Sequence, residues 1–380
     1  MRAVVAAAAL LSVLPPYRLS AQDSTRIAEA QSVLAQLVET YGVSGAEGPV
    51  RETVKRLLPS WAKSETDTAG NLWVRVGQGS PVVVVIAHLD EIGFRVTGIR
   101  DDGTLELETR GGFISSLFEA KPALVHTDKG VVPGVFIPRD SGFTRHTPPP
   151  LRVDVGATSR AAAMARGVSP GQTVTMPKQY VRLSGTRATG RSFDDRVGAT
   201  AQLIALRRLD RAALKHQVIF IWSVREEIGL EGAAAAAAAL GTTPRRVHAI
   251  DTFVSADSPL ELPNFAVAPI GRGAVARALD NSSITPPAYV DSLVQVARAR
   301  GAALQVADPR LGGCVQRGRL MRVLAVAQLL VAIERQRDPL GPAGRVLREV
   351  PVDRGVVGCG VGKDFGRQVP AQPRACARGQ

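Results

Sequence analysis

The stretch VVVVIAHLDEIGF, residues 82–94, decides how this chain folds. Its first five residues are β-branched and apolar, which is typical of a strand covered on both faces, as in the parallel sheet of an α/β domain. Three polar residues follow within five positions, namely His88, Asp90 and Glu91. We therefore predict a buried strand whose carboxyl end carries the chemistry of the protein.

Two further apolar strands are also followed by acidic residues. VIFIWSV, residues 218–224, leads to Glu226 and Glu227, and RVHAI, residues 246–250, leads to Asp251. Ligands of open α/β sheets bind outside the carboxyl ends of the strands. We therefore expect these groups to converge at one edge of the sheet, although 163 positions separate His88 from Asp251.

Structural and functional interpretations of these residues compete. A single histidine after a strand is more often a hydrogen-bonded structural residue than a metal ligand, and paired glutamates usually form a solvated surface. Here the acids follow buried strands, and burying several carboxylates together is costly without compensating cations. A pair of metal ions provides that compensation. Asp90 lies on the same side of its strand as His88, so it can accept a hydrogen bond from the second imidazole nitrogen.

Asp194 has two interpretations that the residues alone leave open. It lies in SFDDRVG, residues 192–198, just before a predicted helix. As an N-cap it accepts a hydrogen bond from the first helical turn. As a bridging carboxylate it lies between two metal ions about 3.5 to 4 Å apart.

The pattern along the chain predicts a mixed-sheet α/β domain interrupted by an all-β insertion. The first helix is expected to begin at an N-cap, Ser24, and to stop at Gly42. Short alternating strands with turns follow the 82–94 stretch, and the alternation of helix and strand resumes later. We assign residues 22–93 and 183–313 to the α/β domain, 94–182 to the β insertion and 314–380 to an atypical tail.

Composition and charge narrow the function classes. The chain has 380 residues, of which 45% are hydrophobic and 21% are charged, so it can bury a globular core. The net charge is +13, but residues 314–380 alone hold eleven arginines and one lysine against five acidic residues. Because much of the excess lies in this one segment, we do not expect nucleic acid as a partner.

The amino terminus predicts a secretory signal peptide over residues 1–21. Arg2 precedes an apolar stretch that is too short to span a membrane, and Ser20 and Ala21 precede a polar segment. The alternative is a buried N-terminal helix. We expect a secreted or periplasmic protein that has no membrane partner once the signal is removed.

Six motifs together resemble the tetrahedral aminopeptidases, also called glutamyl aminopeptidases, a family of dizinc exopeptidases. The resemblance implies that His88 ligates one metal ion, Asp194 bridges both, and Glu227 and Asp251 each ligate one. It also implies that Glu226 is the general base and that Asp90 orients His88. The motifs are HLDEIGF, LRVDVGATS, GVSPGQTV, SFDDRVG, REEIGLEGA and AIDTFVSAD.

The same resemblance implies the cofactors and partners. The cofactors are two divalent metal ions, zinc first, with cobalt or manganese as alternatives. The substrates are short peptides cleaved at a free amino terminus. The β insertion is the dimerisation domain of a large hollow homo-oligomer.

The resemblance runs from about residue 30 to Gly313 and then stops. The family has a further metal-ligating histidine near its carboxyl terminus, but no histidine follows His248 in this chain, so the fifth ligand is unassigned. All three cysteines lie in the tail, and their odd number and irregular spacing predict neither a disulfide framework nor a zinc site. We hypothesise that a deletion or a reading-frame shift near codon 314 altered the coding sequence.

Other functions compete with an aminopeptidase. One is an inactive metal-binding scaffold that keeps the fold and the dimerisation module, and another is a related dizinc amide hydrolase such as a deacylase or carboxypeptidase. A glycosidase also uses two carboxylates, but that interpretation leaves His88 and the surplus acids unexplained.

Overall fold

The computed structural model describes residues 21–139, 149–253, 268–278 and 284–307. The predicted tail, and all of the predicted signal peptide except Ala21, lie outside these residues. The helices described there are α1 (Ala21–Glu39), α2 (Gly48–Leu57), α3 (Arg160–Ala165), α4 (Phe193–Arg207), α5 (Glu231–Ala239) and α6 (Pro287–Ala299), with a short 3-10 helix at Ser115–Phe118.

The strands in the described residues run from β1 to β15. They are β1 (Ser64–Thr66), β2 (Leu72–Val76), β3 (Val83–His88), β4 (Gly93–Ile99), β5 (Leu105–Arg110), β6 (Pro122–Thr127), β7 (Gly130–Phe136), β8 (Arg152–Asp154), β9 (Thr173–Thr175), β10 (Val181–Arg182), β11 (Ala188–Thr189), β12 (Val218–Ser223), β13 (Arg246–Ala249), β14 (Ala274–Arg277) and β15 (Leu304–Ala307).

The central sheet is mixed, with strand order β1-β2-β12-β3-β13. Strands β12, β3 and β13 are parallel, whereas β2 pairs antiparallel with β12. Alternate residues of β3 enter different cores: Val84 and Ile86 pack with the alanines of α5, and Val85 packs on the side of α1, α2 and α4. Two covered faces explain the unbroken apolar run, and the predicted mixed α/β fold is confirmed.

The inserted β region forms a closed barrel with strand order β4-β5-β8-β7-β6-β9. Its core holds three aromatic rings: Phe94 lies 5.0 Å from Phe118 and 5.2 Å from Phe136, measured between centroids. Phe94 is also the last residue of the 82–94 stretch. This stretch therefore contains one strand of the central sheet and the first residues of the barrel. The predicted all-β insertion is therefore present, while its assigned boundaries stay predictions.

Helix α1 corrects one expectation. Its described part already includes Ala21, so Ser24 is an internal residue of the helix and not its N-cap. The residues Gln22 and Asp23 continue the helical path ahead of Ser24, which a cap-based prediction does not detect. Gly301 has a φ of 63° just after α6, where a glycine tolerates the left-handed conformation that ends a helix.

No helix in the described parts of the chain is both long and apolar enough to span a membrane.

Candidate metal centre

Residues after three parallel strands meet at one edge of the central sheet. His88 ends β3 and pairs with Ser223, which ends β12, so the residues after both strands leave the sheet at the same level. Ligand atoms of His88, Asp194 and Glu227 all lie within 4.8 Å of one another. A second such group joins His88 to Asp195 and Asp251. Residues that are distant in the sequence therefore meet at the carboxyl ends of the parallel strands.

The Asp90 carboxylate connects His88 to the loop that carries Glu226 and Glu227. Its Oδ1 accepts the backbone N–H of Glu226 and its Oδ2 accepts that of Glu227, both at 3.0 Å. The Ser44 hydroxyl also donates to Asp90 Oδ2. The imidazole Nδ1 of His88 lies 3.4 Å from Asp90 Oδ1 and 3.1 Å from the Asp90 carbonyl oxygen. One buried carboxylate thus holds the imidazole and the glutamate loop together.

A break at the start of α4 separates the roles of two adjacent aspartates. Asp194 and Asp195 both have non-helical dihedral angles. Asp195 Oδ1 accepts the N–H of Gly198 at 2.9 Å and therefore makes the capping bond. The Oδ1 of Asp194 lies 2.9 Å from His88 Nε2, and its side chain is 49% exposed, so it faces the open side of the site.

Asp195 is a site residue that the sequence analysis did not single out. Besides its cap, its Oδ2 accepts the backbone N–H of His88 at 3.3 Å, which joins α4 to the end of β3. The sequence did contain a signal for the capping role of Asp195. It lies three residues before Gly198, which is the usual spacing between an N-cap residue and the backbone N–H that its side chain accepts.

The carboxylates of the site repel one another and are poorly hydrated. Burial raises the pKa of Glu226 to about 7, that of Glu227 to about 8 and that of Asp251 to about 6, and neighbouring carboxylates add to each increase. Burial alone would lower the pKa of His88, but Asp194 and Asp90 outweigh it and raise that pKa. Protons therefore occupy a site built from an excess of negative groups.

The donor set fits divalent metal ions. Imidazole nitrogen and carboxylate oxygen are the ligands that zinc, cobalt and manganese accept, and converging carboxylates need cations to offset their repulsion. Glu226 belongs to neither ligand group, and its Oε2 lies 4.0 Å from His88 Nε2. Glu226 therefore lies beside the two groups without belonging to either.

The remaining histidines in the described residues contribute to neither ligand group. His248 faces α6, where its Nδ1 lies 2.7 Å from the hydroxyl of Tyr289. His126 lies in the barrel, with Nε2 2.8 Å from Thr175 Oγ1. Any ligand that follows residue 307 lies outside the described residues, so the fifth ligand stays unassigned.

Comparison with known proteins identifies the family. The sequence pattern of the M42 glutamyl aminopeptidase family matches residues 70–316, which is more than half of the chain. The chain belongs to the M42 family. The match ends two residues beyond Cys314, close to the point where the predicted atypical tail begins. The predicted family resemblance is thereby confirmed.

Curated relatives carry aminopeptidase names. The M42 chain is 32% identical to the lysyl aminopeptidase of Pyrococcus furiosus over 55% of its own length and 62% of that protein. It is 31% identical to the glutamyl aminopeptidase of Lactococcus lactis over 52% of its own length and 59% of that protein. The chain thus spans less than two thirds of the length of these relatives.

Solved structures share the fold over a larger part of the chain. The TET1 peptidase of Pyrococcus horikoshii is 32% identical, with a TM-score of 0.65, over 73% of this M42 chain and 84% of the TET1 chain. A TET aminopeptidase from a marine sediment archaeon is 26% identical, with a TM-score of 0.67, over 74% and 81% of the two chains. These similarities support the α/β domain with its second, inserted domain.

Proposed function

We propose that this chain is a metal-dependent aminopeptidase that removes residues one at a time from the amino termini of peptides. One observation carries the proposal: in an M42 chain, ligand atoms of His88, Asp194 and Glu227 lie within 4.8 Å of one another, and those of His88, Asp195 and Asp251 form a second such group. His88, Asp194, Glu227 and Asp251 would hold two divalent ions, zinc first, with cobalt or manganese as alternatives. Bound divalent ions act as Lewis acids that polarise the scissile carbonyl and acidify the attacking water.

Glu226 is suited to move the proton in this reaction. It lies beside the proposed ligands, with its Oε2 4.0 Å from His88 Nε2, where a general base and acid is needed. Its carboxylate takes a proton from the attacking water and returns it to the leaving nitrogen as the C–N bond breaks. The bond from its backbone N–H to Asp90 fixes the start of this side chain.

The charge of the site suits a free amino terminus. A peptide's terminal ammonium group is positive, and the site offers several carboxylates around a single imidazole. An acetylated terminus is neutral and loses this attraction. The open side of the site at Asp194 gives the peptide access.

Assembly and location are parts of the same proposal. The TET1 peptidase of Pyrococcus horikoshii can assemble into a tetrahedron or a large octahedral shell, which supports a homo-oligomer here. The barrel exposes Ile114 at 57%, Leu117 at 65% and Val131 at 51%, apolar side chains that a neighbouring subunit would cover.

The amino-terminal pattern supports export to the periplasm or the medium. Nucleic acid and membrane are not partners in this proposal.

The direct test is hydrolysis of a short peptide by the full chain. Trialanine and its N-acetylated form are incubated with the protein as purified, after chelation, and after addition of zinc, cobalt or manganese. We expect release of alanine from the free peptide, its loss on chelation, its recovery with metal, and no release from the acetylated peptide. Cleavage of the acetylated peptide would instead favour a deacylase or carboxypeptidase, and no cleavage at saturating metal would favour an inactive scaffold.

A further inference from the structure

Glu91 is a buried carboxylate that the proposed reaction does not use. It follows Asp90 in the 82–94 stretch, and the residue is 1% exposed. Its Oε1 lies 2.5 Å from Lys178 Nζ and 3.6 Å from Arg196 Nη2, and both of these cationic side chains are fully buried. Removing one partner of such a buried pair would leave an uncompensated charge, which is strongly destabilising.

The second oxygen of Glu91 reaches the turn that presents Asp194. The Ser192 hydroxyl donates to Glu91 Oε2, and Lys178 Nζ donates to Ser192 Oγ at 3.3 Å. Ser192 has a φ of 65°, a left-handed conformation that non-glycine residues rarely adopt. The backbone at Ser192 directs the two residues that follow, and the second of them is Asp194.

Glu91 also lies where the chain passes between the sheet and the barrel. Residues 89–92 lead from β3 to β4, and Lys178 lies on the return path after β9. Glu91 Oε1 accepts the N–H of Gly42 at 2.9 Å, and Lys178 Nζ donates to the carbonyl oxygen of Thr40 at 3.0 Å. Both segments that join the sheet to the barrel are therefore hydrogen-bonded to the loop between α1 and α2.

The charge state of Glu91 agrees with this geometry. Burial alone would raise the pKa of Glu91, but Lys178 and Arg196 outweigh burial and lower it. Burial also lowers the pKa of Lys178 to about 7, and the ionised Glu91 acts against that decrease. An ionised Glu91 accepts the Ser192 hydroxyl as a charge-assisted hydrogen bond, which is stronger than a bond between neutral groups.

We propose that Glu91 is a positioning residue that acts through Ser192 to fix the carboxylate of Asp194 against His88. Lys178, which follows the last barrel strand, orients Glu91. It thereby helps to position Asp194, a proposed metal ligand at the start of α4. The inference rests on the proposed metal centre, because Asp194 is placed there as a ligand of the metal ions. Partners that orient metal ligands typically change metal affinity about 10- to 100-fold when they are removed.

The test compares cobalt binding by the full-length parent protein with binding by Ser192→Ala, Ser192→Gly and Glu91→Gln. Ser192→Gly removes the hydroxyl but accepts the left-handed backbone without strain, so it keeps the test valid if the other variants fold poorly. Ser159→Ala is the matched control, because it deletes a serine hydroxyl that caps α3 in the barrel. Each protein is stripped with a chelator and titrated with Co²⁺ while its visible absorption is recorded, and its melting temperature without metal is measured.

We expect the dissociation constant for Co²⁺ to rise about 10-fold or more in both Ser192 variants and in Glu91→Gln, with an altered visible spectrum. The metal-free melting temperature of Ser192→Gly should fall about as much as that of Ser159→Ala, since each variant loses one hydroxyl hydrogen bond, and kcat should fall more than KM rises. Ser159→Ala should lose thermal stability and bind Co²⁺ like the parent. Parental affinity and spectrum in both Ser192 variants would overturn this inference alone. A parent protein that binds no Co²⁺ would overturn the proposed function as well.

Discussion

Asp90 accepts the backbone N–H of Glu226 at 3.0 Å, although 136 positions separate the two residues. Burial alone would raise the pKa of Asp90, but its bonds to His88 and its other donors outweigh burial and lower the pKa to about 2. Asp90 is therefore ionised at neutral pH, and its two oxygens fix the loop that carries the proposed base and one proposed ligand.

Replacing Asp90 with asparagine should damage both stability and activity. The amide group would turn an N–H donor toward one of the two backbone N–H groups at Glu226 and Glu227, which leaves a buried donor unpaired. We expect a loss of about 2 to 4 kcal/mol in the free energy of unfolding and at least about a 10-fold loss in kcat/KM. Denaturant unfolding and peptide hydrolysis measure the two effects. Asp102→Asn, an exposed change in the barrel, should alter neither.

Glu226→Gln and Glu227→Gln should separate proton transfer from metal binding. Glu226→Gln should lower kcat by about 10²- to 10⁴-fold, the usual contribution of a general acid and base, with metal affinity largely kept. Glu227→Gln should weaken metal binding and regain part of its activity at high metal concentration. The assignment of roles would be wrong if Glu226→Gln kept full kcat, or if only Glu226→Gln lost metal.

Removal of metal should make the stability of the protein depend on pH in a defined direction. The pKa values of Glu226 and Glu227 are raised from ordinary values near 4.5 to about 7 and about 8. Between pH 4.5 and 8 the folded state therefore holds protons that the unfolded state has released, so stability falls as pH rises through this range. The raised pKa of His88 acts in the same direction.

Zinc should reverse this loss, because metal ions replace the protons in neutralising the site. The increase in melting temperature on adding zinc to chelated protein should be larger near pH 8 than near pH 5.5. Thermal unfolding at both pH values, with and without zinc, measures it. Glu227→Gln should show a shallower pH dependence without metal, and an equal or smaller zinc effect at the higher pH would contradict the proposed site.

Gly232 permits the close approach of α5 to the end of β12. A Cβ at this position would lie 2.1 Å from the carbonyl oxygen of Val224, which is backbone and cannot move aside cheaply. We expect Gly232→Ala to cost about 1 to 3 kcal/mol of unfolding free energy. Gly112→Ala is the control, because its Cβ would meet nothing within 4 Å. Equal stability of the two variants in denaturant would show that α5 can shift away.

The strands, and the sheet edge where His88 and the acids meet, could be predicted from the sequence. The reason is that an unbroken apolar run of a few residues indicates a buried strand, and the polar residues that follow it mark the carboxyl end. The separate roles of Asp194 and Asp195 were not predicted, since they depend on the non-helical dihedral angles of both residues at the start of α4. The partnership of Glu91 with Lys178 was also missed. It joins residues 87 positions apart, and no periodic pattern links them.

We propose that divalent ions neutralise the crowded acids around His88. Equilibrium binding of zinc to the chelated full-length protein, measured by calorimetry, tests it most directly. We predict two ions per chain, with weaker binding in Asp251→Asn and Glu227→Gln and none of this weakening in the surface variant Glu106→Gln. A folded protein that takes up no zinc, or that binds it unchanged when Asp251 and Glu227 are replaced together, would show that these residues do not form a metal centre.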